Sequence, residues 1–157
     1  MIEVIGIGNI LFGDDAAGVY AVRELCKRFH GENDIEFIEG ETDIYYCIEC
    51  VQKLTSDDLI VIIDACDFDK KCGTVFIERL ESYDKYLREM VESHEDSLIK
   101  IMRRDFKYMN GFVINIQIHD ASYRIGLSRE LEDMFNKICN KVFENLKKII
   151  KESNTNA

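Results

Sequence analysis

Apolar and β-branched residues first concentrate in the run IEVIGIG (residues 2–8), which closes on glycines and predicts a buried strand followed by a turn. Apolar positions then recur at helical spacing through Val22, Leu25, Cys26 and Phe29, so a helix is expected to begin near Ala16. IEFIEG (35–40) reads as a second strand, and a helix from about Thr42 to Leu54 follows it. DLIVIIDA (58–65) is a near-continuous apolar run ending at Asp64, the pattern of a strand covered on both faces. TVFIERL (74–80) and GFVINIQI (111–118) supply two more strands, with a helix between them starting near Ser93. From Leu127 to about Lys151, the residues Leu131, Met134, Phe135, Ile138, Val142, Leu146 and Ile149 keep one apolar stripe. Ser128 is placed to cap that helix, acids fill its first turn, and Lys147, Lys148 and Lys151 suit its C-terminal dipole.

Strands alternating with helices define an α/β fold, a three-layer α/β/α sandwich around a mostly parallel, twisted sheet of about five strands. Ligands of such sheets sit outside the carboxyl ends of the strands. Two of the expected strand ends lead directly to acids there: Asp14 and Asp15 after the first strand, Asp64 at the end of the third.

Length and charge narrow the classes. The chain has 157 residues, enough for one domain (1–152) with a polar C-terminal tail (153–157). Acids outnumber bases 30 to 20, a formal charge of −10 that argues against a general nucleic-acid surface. No stretch reaches the roughly 18 apolar residues needed to span a bilayer, and an acid at Glu3 without a basic leader argues against a signal peptide. The expected compartment is the cytoplasm, with the six cysteines as free thiols.

The loop Gly6-Ile7-Gly8-Asn9-Ile10-Leu11 resembles a dinucleotide fingerprint only in part. Leu11 stands where the third glycine belongs, and two acids at the helix start would repel a pyrophosphate, even with Glu39 placed like a ribose-binding acid. The acids also have a plain structural account, with Asp14 or Asp15 capping the first helix and Asp64 bonding a neighbouring loop. The functional account gathers Asp15 and Asp64 with His94, which opens the helix expected after Ser93. Two carboxylates and an imidazole suit a divalent ion such as Ni²⁺ or Zn²⁺ and leave coordination positions open. A rival metal site is a four-thiolate zinc centre from Cys47, Cys50, Cys66 and Cys72; Cys47 and Cys50 fall within an expected helix, which works against it. His30 and His119 receive no role.

The segment IGIGNILFGDDAAGVYAV (5–22) resembles the opening strand, acidic loop and first helix of the [NiFe]-hydrogenase maturation endopeptidases. LIVIIDA (59–65), SHEDSL (93–98) and GLSREL (126–131) resemble later elements of the same family, so the likeness runs through essentially the whole chain. The resemblance implies that Asp15, Asp64 and His94 are the metal-facing residues and that Asp15 and Asp64 carry the catalysis. It also implies a substrate, the hydrogenase large-subunit precursor, whose own nickel is recognised before a C-terminal peptide is removed, with Zn²⁺ as a surrogate ion. Three departures stand out: Ala16-Ala17 for a glycine-rich start, Glu41 within Gly40-Glu41-Thr42 for a glycine, and a histidine segment without its usual proline and glutamine. The alternatives are a non-catalytic metal- or partner-binding module on the same fold and a divergent peptidase with a non-hydrogenase substrate.

Overall fold

The computed structural model describes residues 1–29, 34–86 and 97–155. Five strands form one sheet: β1 (Ile2–Ile7), β2 (Ile35–Glu41), β3 (Leu59–Cys66), β4 (Val75–Arg79) and β5 (Asn110–Gln117). Their order is β2-β1-β3-β5-β4. All neighbours run parallel except β4, which pairs antiparallel with the outer side of β5. The expected mostly parallel sheet is therefore present, with one reversed edge strand.

Alternation along the strands divides the core. Val4, Val61, Ile63, Ile114 and Ile116 face one side, against α1 (Ala17–Arg28) and α4 (Arg129–Thr155). Ile5, Ile60, Ile62 and Val113 face the other, against α2 (Ile44–Val51), α3 (Leu98–Asp105) and a 3₁₀ segment at Leu80–Tyr86. A fully buried side chain of this kind contributes roughly 1.5–3 kcal/mol, so two continuous apolar layers, one on each face, hold the three layers together.

Two glycines set how closely α1 lies on the sheet. A Cβ at Gly18 would overlap the carbonyl oxygens of Ile7 and Ile63, and one at Gly6 would come within 2.5 Å of the Gly18 oxygen. The close helix–strand approach that a nucleotide-binding loop obtains from its third glycine is thus made here from inside the helix. That approach brings the 3₁₀ turn Gly13–Ala16, which leads into α1, over the carboxyl ends of β1 and β3.

Several boundaries differ from the periodicity. Helix α1 starts at Ala17, after the 3₁₀ turn, and neither Asp14 nor Asp15 caps it through a side chain. Strand β3 continues two residues past Asp64, because its pairing with β5 extends to Cys66 and Gln117. Helix α3 begins at Leu98, where the Ser97 hydroxyl accepts a hydrogen bond from the Lys100 amide; Ser93 and His94 lie outside the described residues. Helix α4 runs from Arg129 through Thr155, past the end expected near Lys151.

Candidate active site

The consecutive acids Asp14 and Asp15 have opposite fates. Asp14 is completely buried, and its carboxylate accepts four hydrogen bonds: from the amides of His119, Asp120 and Ser128, and from the Ser128 hydroxyl. Ser128 in turn caps α4 by accepting the Leu131 amide. One buried carboxylate therefore ties the turn after β1 to the loop after β5 and to the start of α4. A single residue further, the 3₁₀ turn points Asp15 the other way. Its Oδ2 accepts the Asn9 amide at 2.7 Å, which fixes the carboxylate while leaving it partly exposed.

Asp15 opens into a cleft of about 980 Å³ at the carboxyl edge of the sheet, and Asp64 lies in the same cleft. In the β3 register Asp64 shares the face of Ile60 and Ile62, the side covered by α2 and α3. Burial, and secondly the neighbouring Asp15 carboxylate, push Asp64 up to about 7. A carboxyl that exchanges its proton near neutrality, beside a second carboxylate, provides a general acid or base for hydrolysis. The opposite wall is apolar, built by Ile44, Ile48, Leu98 and Ile101, and Glu41 and Thr42 form part of the lip. Glu41 holds a left-handed backbone (φ 49°) that disfavours a residue with a side chain.

Of the three residues expected to converge, the structure brings Asp15 and Asp64 into one cleft; His94 lies outside the described residues. Among the described residues, no group of three or more His, Cys, Asp or Glu side chains is arranged to hold a metal, so the four thiols do not form a zinc centre. Cys47 and Cys50 do sit in a helix, α2. Burial pushes Cys47 up to about 11 and Cys66 up to about 12, the condition of inert core thiols. Glu39 forms an ion pair with Arg23 at 2.6 Å. His119 contributes its backbone amide to Asp14, and its ring lies 3.7 Å from Glu130. The sequence reading missed the hub role of Asp14, the anchoring of Asp15 by Asn9, and the apolar wall. The wall alone left a signal, since Ile44 and Ile48 belong to the same i, i+3, i+4, i+7 apolar stripe as Cys47 and Val51.

The chain and its fold are similar to those of known proteins. A family profile describing hydrogenase maturation proteases matches residues 19–145. The chain is 29% identical over 86 residues to the hydrogenase expression/formation protein HoxM of Azotobacter vinelandii, covering 55% of this chain and 40% of that protein. It is 34% identical over 74 residues to HupD of Thiocapsa roseopersicina, covering 47% and 32% respectively. The matched region thus spans well under half the length of these curated relatives. The fold superposes on the hydrogenase-maturating endopeptidase HybD of E. coli with a TM-score of 0.71 at 24% identity, over 94% of this chain and 92% of that one.

The chain belongs to the hydrogenase maturation protease family. The family is described as one of proteases, and proteases are hydrolases.

Proposed function

We propose that this protein is an endopeptidase that removes the C-terminal extension of a [NiFe]-hydrogenase large-subunit precursor once nickel has entered it, working in the cytoplasm. No helix among the described residues is long and apolar enough to cross a membrane. The observation that carries the proposal is the pairing of Asp15 and Asp64 in one large cleft, while the adjacent Asp14 is turned inward to hold the loops. A peptide segment in the cleft would lie along the apolar wall, with its scissile carbonyl beside the two carboxylates. As a carboxylate, Asp64 can take a proton from an attacking water and return it to the leaving amine.

Nickel enters this reading as part of the substrate. A precursor ion held by its own ligands needs only a few more donors, and the oxygens of Asp15 and Asp64 are of a type that divalent ions accept. His94 is the third donor in this reading, and Zn²⁺ is the surrogate that the same groups would take.

The test is the intact mass of a nickel-loaded, C-terminally extended large-subunit precursor before and after incubation with the protein. A single discrete loss that requires nickel supports the proposal. An unchanged mass with verified nickel loading refutes it.

A further inference from the structure

Beside the cleft lies a surface that the chemistry leaves unused. Leu11 and Phe12 are exposed on the loop after β1, and Tyr123 and Ile125 protrude from the loop after β5 with 77% and 79% of their surface open to solvent. The two loops are locked together. The Arg124 amide donates to the Leu11 carbonyl at 2.9 Å, the Gly13 amide donates to the Arg124 carbonyl at 2.8 Å, and the Phe12 and Tyr123 rings meet edge to face at 6.0 Å. The Asp14 carboxylate fixes both loops from below. Exposed side chains on such a frame are held in place before any partner arrives, the arrangement by which aromatic and aliphatic anchors give binding energy at low entropic cost.

The patch continues directly into the cleft. The Asp15 amide donates to the Phe12 carbonyl at 3.1 Å, and the Leu11 amide donates to the side chain of Asn9, which lines the cleft. We infer that Leu11, Phe12, Tyr123 and Ile125 dock an apolar surface on the folded body of the protein whose C-terminal segment occupies the cleft. This inference rests on the precursor-processing reading. A segment bound next to Asp15 belongs to a folded protein that must come to rest beside it, and the patch is the apolar ground on that side. Charge argues against a second copy of this chain as the occupant, because two surfaces of formal charge −10 would repel. A second copy seated there would also obstruct the cleft. The patch supplies affinity and orientation, and the chemistry stays with the carboxylates.

The test compares wild type with the variants Ile125→Asn and Tyr123→Ser/Ile125→Asn, using the nickel-loaded large-subunit precursor as probe. Cleavage kinetics, thermal melting and sedimentation are measured on each. Ile125 makes no hydrogen bond through its side chain, so the single variant guards against a loosened loop. The expected result is a KM at least tenfold higher in the double variant, with a smaller rise in the single one. Turnover at saturation should stay within twofold; the melting temperature should not change in the single variant and should fall by only about 2–4 °C in the double one, which loses the Phe12–Tyr123 ring contact. An unchanged KM in both variants overturns docking while leaving precursor cleavage intact. A wild-type dimer that becomes monomeric in the double variant overturns it as well, by giving the patch to a second copy. Failure of wild type to cleave or bind the precursor removes the functional reading, and the docking role falls with it.

Discussion

Two carboxyls on the same face of the sheet, at opposite ends, have been driven to nearly the same pKa. Glu3, near the start of β1, is pushed from 4.5 to about 7, and Asp64, near the end of β3, from 3.8 to about 7. Burial is the largest cause for both, and a neighbouring carboxylate the second: Glu36 for Glu3, Asp15 for Asp64. Their settings differ in space and company. Glu3 adjoins a cavity of about 150 Å³ shared with Glu36, Cys50, Lys53 and Asp58, and its Oε1 has no hydrogen-bond partner. Asp64 opens into a cleft more than six times larger, with an apolar wall of Ile44, Ile48, Leu98 and Ile101. A displaced pKa therefore reports desolvation at either end, and only at the carboxyl end do room, a fixed second acid and an apolar wall add up to a site for chemistry.

Substitution at Asp64 gives the sharpest test of this contrast. Asp64→Asn should reduce cleavage of the precursor by about a thousandfold or more, equivalent to about 4 kcal/mol of transition-state stabilisation, while Glu3→Gln leaves the rate unchanged. Comparable losses from both in a mass-based cleavage assay would break the comparison. Next in size is Asp14→Ala, which strands three amides and a hydroxyl around a vacated carboxylate. A loss of about 3 kcal/mol is expected, lowering the melting temperature by about 6–12 °C, whereas Asp15→Asn should melt within about 2 °C of wild type.

Glu3 supplies the pH dependence. Its folded pKa lies above the ordinary 4.5, so between pH 4.5 and 7 the native state binds more protons than the unfolded chain. Its contribution is intact below pH 4.5, declines as the pH rises through that window, and stays at the lower level above 7. Lys53 offsets part of the cost, while Glu36 and Asp58 add to it. Glu3→Gln should therefore gain about 1–2 kcal/mol at pH 8 and almost nothing at pH 4.5, read by denaturant melts at both values. The smallest effect is expected at the cleft lip. Glu41→Gly relieves a left-handed backbone and gives up only a 3.8 Å contact with Arg23 between half-exposed groups. A net gain of about 0.5–1 kcal/mol is expected in the same melts.

The sheet was legible because its strands are written as apolar runs. DLIVIIDA carries enough β-branched surface to require cover on both faces, and the stripe from Leu131 to Ile149 supplies a helix for one of them. Asp15 and Asp64 were legible because acids placed at the ends of such strands point to the ligand edge of any parallel sheet. The difference between Asp14 and Asp15 was not legible. It depends on a 3₁₀ turn whose direction is set by amides more than 100 residues away, and no local pattern encodes that. The helix at Leu98–Asp105 opens on the Ser97 hydroxyl, while the start expected near Ser93 lies outside the described residues. The apolar wall escaped notice because Ile44 and Ile48 share one stripe of α2 with the buried Cys47 and Val51, and periodicity does not say where such a stripe leaves the core and enters a cleft.

The span of the Asp14 contacts also bears on how the protein is made. Strand β1 can pair with β2 and β3 once about half the chain exists, but all four hydrogen bonds to the Asp14 carboxylate come from residues 105 to 114 positions downstream. A chain still growing on the ribosome would carry Asp14 and Asp15 yet lack the amides that turn them apart. The sheet centre would then be laid down early, and the cleft edge would reach its final shape only as the last helix emerges.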